Sequence, residues 1–222
     1  MQSNMGFQTA TQSSAIEINK VLRNTYMLLG MTLAFSAVTA GISMAMNLSH
    51  IAALVMTLVA FGLLFVVHKQ ADKASGLIWI FAFTGLMGAS LGPMLNMYAA
   101  MPNGGSLIMQ ALGGTALIFF SLSAYALTSK KDFSFMGGFL MVGLIVVIIA
   151  GIANIFFQIP AISLALSSAI ILIMSGLILF DTSRIIHGGE RNYILATVSL
   201  YLNVYNIFTS LLHLLGAFNS DD

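Results

Sequence analysis

The stretch ALIFFSLSAYALTSKKDFSFMGGFLMVGLIVVIIAGIANIFFQIP, residues 116–160, contains the whole logic of this chain. One apolar run ends at the paired cations Lys130 and Lys131. The next ends at the uncharged turn Gln158–Pro160. The same alternation holds outward in both directions. Apolar runs of about 18–27 residues succeed one another, each long enough to cross the hydrocarbon of a bilayer as a helix. They are expected at 24–46, 50–67, 74–100, 106–127, 135–157, 161–186 and 193–218. Lys20 and Arg23 precede the first run. Lys69 and Lys73 follow the second, and Arg184 and Arg191 flank the gap after the sixth. The gaps around Asn47–Ser49 and Pro102–Gly105 carry no formal charge. All eight Lys and Arg therefore sit on one side of the membrane. Basic loops face the cytoplasm, so the N-terminus is expected inside and the C-terminus outside.

Composition agrees. Hydrophobic residues make up 59% of the chain and charged residues 7%, against about 25% charged in soluble domains. A water-facing surface cannot be built from so few charges. The class is an all-α integral membrane protein with seven transmembrane helices. Backbone groups in hydrocarbon must pair internally, and the runs are too long for barrel strands. No cysteine is present, and the net charge of +1 argues against nucleic acid as a partner. Residues 1–22 read as a flexible cytoplasmic tail, 23–218 as the membrane domain and 219–222 as a periplasmic tail. The first twenty residues lack the basic-then-apolar order of a cleavable signal peptide.

Small residues mark close helix contacts. Gly88 and Gly92 stand in GxxxG spacing in the third span; Ser36, Ala37, Ala40 and Gly41 lie in the first. Such positions serve packing within the chain or a homodimer contact. Pro93 removes a backbone donor inside the third span and predicts a kink, with a gate as the alternative reading.

The last span holds the most unusual pattern. Ser199, Asn203, Asn206, Ser210 and His213 recur at spacings of four, three, four and three, which places them on one face. A face this polar has to meet other helices or water, so the last helix belongs in the middle of the bundle. It reads either as interhelical glue or as a path for ions, protons or water. Asp181 is the one acid well inside an apolar run. Burying it costs about 2.5–3.5 kcal/mol on the gentler insertion scale, so it needs a partner or a proton. Arg184, three residues on, is one candidate; Asn203, across the helix pair, is the other. Asn96, Gln110 and Asn154 read as packing contacts. His68, ending the second span, is either solvated or a titrating lid. His187 and Glu190 are too few for a metal site, and no catalytic or phosphate-binding signature occurs. Neither enzyme activity, metal nor cofactor is expected.

Three stretches carry a family resemblance. GLMGASLGPML (Gly85–Leu95) resembles the signature of the Bax inhibitor family. LILFDTSRIIHGGERNYI resembles its acid-bearing helix, and ATVSLYLNVYNIFTSLLHLLG (Ala196–Gly216) its final helix. The resemblance implies a bundle of six helices around the last one. It also implies, from the bacterial members, a modulator held by the membrane protease FtsH, which limits attack on other membrane proteins. Some members are pH-sensitive cation leaks, chiefly for calcium, closed by two acids that share a proton. Asp181 matches the first acid. The second is absent, since Asn203 stands where the family pattern LYLD has Asp. Asn cannot ionise, so the shared-proton pair cannot form here. Three functions stand side by side: a protease modulator, a cation or proton conductor along the polar stripe, and a structural protein with a sealed polar core.

Overall fold

The computed structural model describes the backbone of residues 3–219 and side chains from residue 16 to 219. The helices are α1 (Ser3–Ala45), α2 (His50–Gln70), α3 (Ser75–Ser90), α4 (Gly92–Ala99), α5 (Gly104–Ser129), α6 (Gly137–Phe157), α7 (Pro160–Ile186) and α8 (Tyr193–Asn219). A single 3-10 turn, Ser134–Met136, leads into α6. Among the described residues seven helical segments are long and apolar enough to cross a membrane, α3 and α4 together forming one of them.

Two expectations change. The third span is broken at Leu91, between α3 and α4, with Pro93 in the first turn of α4. There the missing N–H of proline falls among donors that have no intrahelical partner anyway. The kink thus becomes a helix restart. The tail expected over 1–22 is the second. Residues 1 and 2 lie outside the described residues, as do the side chains up to residue 15. From Ser3 onward the backbone is helix, continuous with the first span. No proline interrupts residues 1–45, and extending an existing helix costs far less than nucleating one.

The turns at the uncharged end are tight because single residues adopt left-handed backbone. Asn47, Asn103 and Gln158 have φ of 49°, 58° and 51°. Ser49 then caps α2, its hydroxyl accepting the Ala52 N–H at 3.2 Å.

Burial separates the helices. In α8, 61% of the membrane window is buried, against 11% in α2 and 17% in the α6 span. α8 packs against α7, α5, α1 and α3. α2 rests on α3 and α4, and α6 on α7. Outward faces of α2 and α6 carry exposed Leu54, Phe65, Phe139 and Ile149, as lipid contact demands. The chief core cluster joins Ile80, Phe83 and Met87 of α3 to Leu200, Tyr201 and Ile207 of α8.

Lipid tails are as apolar as leucine, so helices associate through close contact and hydrogen bonds rather than by escaping water. The GxxxG pair supplies the contact. A Cβ at Gly88 would fall on the Ser36 carbonyl oxygen, and one at Gly92 on the Ser43 side chain. These glycines are thus packed within the chain, against α1. Gly62 of α2 has open space instead. Gly88→Ala should therefore lower stability by about 1–3 kcal/mol through overpacking. Gly62→Ala should be neutral or gain up to about 1 kcal/mol in helix propensity. Thermal unfolding of both variants in the same detergent checks the contrast; equal midpoints would contradict it.

Candidate functional site

The polar stripe of α8 faces α7. Asn203, 4% exposed, donates its Nδ2 N–H to Asp181 Oδ2 at 2.8 Å. Asp181 lies five residues before the end of α7, and Asn203 ten residues after the start of α8. With both at one level, α8 projects about 7.5 Å further toward the basic end than α7. The amide gives the carboxylate a donor where water is scarce.

Arg184 does not take the carboxylate. Its Nη2 lies 3.6 Å from Glu190 Oε2 and donates to the Gly189 carbonyl at 3.5 Å. Its guanidinium carbon stands 5.6 Å from the centre of the Phe180 ring. A long cationic side chain near a helix end turns toward the polar boundary, and here the loop after α7 receives it. Of the two partners open in sequence, the structure brings Asn203 to Asp181.

The remaining stripe residues divide. His213 Nδ1 and Ser167 Oγ of α7 are 2.8 Å apart. Asn206 turns back on its own helix, donating to the Leu202 carbonyl at 2.8 Å. Ser199 and Ser210 lie along the same face without a side-chain hydrogen bond among the described residues. Near the uncharged end a cavity of about 600 Å³ opens beside His213 and Ser167, bordered also by Asn154, Gln158 and Ser163. Asn154 shapes its rim: it donates to Ser163 Oγ at 2.8 Å and accepts the Ile159 N–H at 3.1 Å. The seam thus carries one ionisable group at each end, with about 15 Å of helix between Asn203 and His213.

The basic end is tied down over Asp181. Ser183 accepts the Phe133 N–H at 3.0 Å and donates to the Lys131 carbonyl at 3.3 Å, holding the α5–α6 loop on α7. Hydrogen bonding from Ser134 holds the exposed Asp132 carboxyl below the usual carboxylate range, and His187 adds to this. Asn192 caps α8, accepting the Ile194 and Leu195 N–H groups at 2.9 and 3.2 Å. It also donates to Asp72 at 2.8 Å, which links two basic-end loops.

The candidate gates stand apart from the seam. His68 is exposed and its ring bonds the Leu64 carbonyl of its own helix at 2.8 Å. Pro93 is buried at the α3–α4 break. Asn96 donates to the Met44 carbonyl of α1 at 3.0 Å, a tie between helices, and Gln110 to Ser106 of its own helix at 3.1 Å.

Sequence reasoning passed over Ser167, Ser183 and Asn192, and also two hydroxyl pairs that anchor α8. Ser36 Oγ and Tyr201 Oη are 2.8 Å apart, and Ser90 Oγ and Tyr205 Oη 3.3 Å. Single serines in apolar helices carry no periodic signal. Tyr201 and Tyr205, four residues apart on the other side of α8 from the stripe, were a readable one.

The profile described as Inhibitor of apoptosis-promoting Bax1 matches residues 18–220. An uncharacterized membrane protein of Vibrio cholerae is 56% identical over 223 residues, 100% of both chains. A protein of Escherichia coli, named Modulator of FtsH protease YccA, is 56% identical over 211 residues, 95% of both chains. An uncharacterized protein of Pseudomonas aeruginosa is 50% identical over 206 residues, 93% of both chains. With a profile match across nearly its whole length and relatives this similar end to end, the chain belongs to the Bax inhibitor family.

Proposed function

We propose that this protein modulates the membrane protease FtsH from within the bacterial inner membrane, engaging it and limiting its attack on other membrane proteins. The observation that carries the reading is the end-to-end likeness to the Escherichia coli modulator. In this reading the N-terminus lies in the cytoplasm, which the one-sided Lys and Arg support, and offers the protease a segment to grip. The tied basic-end loops fit a protein that resists extraction, as an occupant of a protease must. Removing residues 1–18 from the full chain in native membranes should lengthen its half-life and abolish co-purification with FtsH. Unchanged turnover together with unchanged co-purification would overturn the reading.

A second reading, a cation or proton leak of the Bax inhibitor type, is favoured by the Asp181–Asn203 contact. A carboxylate and an amide face each other in the bundle interior, where the family pattern places two acids. Asn203→Asp should restore a pair of carboxylates and raise calcium affinity by about tenfold, since anionic oxygens set the affinity of such sites. Asp181→Asn should reduce whatever flux purified protein supports in liposomes. Calcium titration and dye-based flux between about pH 5 and 8, the range where histidine changes charge, check both. No flux from the parent protein, with no calcium gained by Asn203→Asp, would remove this reading and leave the protease modulator untouched.

A further inference from the structure

A cavity of about 590 Å³ opens between α1 and α5, with α8 as its floor and α4 at one end. Along α1 its lining runs from Tyr26 to Met44, about 27 Å at 1.5 Å per residue, close to the full hydrocarbon depth. It exists because α1 turns small residues toward it. Gly30, Ala37 and Gly41 are exposed there, and a Cβ at Gly30 or Gly41 would meet nothing within 4 Å. Across the gap stand Leu112, Phe119 and Phe120 of α5.

The lining is dry. Every polar side chain on it already has a partner in the protein. Tyr26 pairs with Thr182 at 3.3 Å and Thr115 donates to the Ala111 carbonyl at 2.7 Å. Ser36 and Tyr201 satisfy each other, and Tyr205 meets Ser90. Water needs two to four polar partners to stay in a cavity, and each hydroxyl here is already engaged within the protein. A polar ligand would compete with these internal bonds.

Width decides among apolar occupants. All the space between the atoms of the groove, its open side included, is about 1500 Å³, a mean section of about 55 Å² over that length, whereas a helix about 10 Å across needs about 80 Å². A partner helix does not fit; one extended hydrocarbon chain does. The groove is also open sideways to the bilayer interior, where such chains are the solvent.

We propose that this groove is a binding site for one acyl chain of a membrane phospholipid, held between α1 and α5 against α8. The chain completes the packing of α8 on the side where no helix covers it. The site does not depend on the protease or leak readings.

Full-length protein reconstituted with palmitoyl-oleoyl phosphatidylethanolamine, then extracted in mild detergent, provides the test. Native mass spectrometry should find one phospholipid per chain. Gly30→Leu with Gly41→Leu fills open space without a clash and should cut that occupancy by about tenfold, the loss expected when even two buried methylene contacts are displaced. Gly138→Leu on α6, also in open space, should keep the lipid. An unchanged melting profile of the filled variant, or a raised one, shows that it is folded. Parent protein without phospholipid, equal occupancy in the filled variant, detergent as an adventitious additive only, or a dimer that the filling disrupts would each overturn the proposal.

Discussion

Polar atoms in this protein are confined by a solvent that cannot bond them. Inside hydrocarbon an unpaired amide or carboxylate costs several kcal/mol, so each one inside the bundle selects a partner on a neighbouring helix or on its own turn. The Asp181–Asn203 hydrogen bond is the central instance. It joins α7 to α8 near the basic end, and the Ser167–His213 bond joins the same helices near the other end. Two bonds this far apart along one pair fix the rotation of α8 about its axis. That rotation aims Tyr201 and Tyr205 at Ser36 of α1 and Ser90 of α3. The rule has exceptions: the hydroxyls of Thr25, Ser43 and Ser123 are buried without a partner among the described residues. No compensating feature accounts for them.

The three interfaces around this arrangement use different physics. α7 and α8 are joined by polar pairs, each worth about 0.6 kcal/mol on average in membranes, so register rather than strength is their main contribution. α1 is joined to α3 at Gly88 and to α4 at Gly92 by close approach, where no side chain can be added. Between α1 and α5 the helices stand apart, and small residues on α1 leave room for something that is not protein. The same type of residue therefore closes one side of α1 and opens another. What differs is whether a neighbouring backbone is near enough to fill the space.

The ends of the bundle also differ. At the uncharged end the connections are short turns, each with a left-handed residue, Asn47, Asn103 or Gln158; Lys130 takes the same backbone at the basic end. At the basic end, loops are held by Ser183 and by the Asp72–Asn192 bond. Arg184 and Glu190 close over the end of α7 and leave Asp181 to the amide inside. A carboxylate kept from the nearest cation in sequence is thereby assigned to the interior, not to the surface.

Hydropathy alone determined the seven spans, because span length is dictated by bilayer thickness and not by tertiary contacts. The 4-3-4-3 spacing of Ser199 to His213 likewise identified the polar face of α8, since helical periodicity is a local property. Pro93 announced a disturbance in the third span for the same local reason. Tertiary structure decided the rest. Which residue would satisfy Asp181 depended on how α7 and α8 are rotated and offset, and an acid three residues from an arginine looks the same in sequence whichever way that arginine points. His68 was ambiguous in sequence for the same reason, and only its place on an outlying helix separated it from the seam. The gap between α1 and α5 was invisible in the letters, because an empty space belongs to no residue and arises only where two helices packed on a third fail to meet each other.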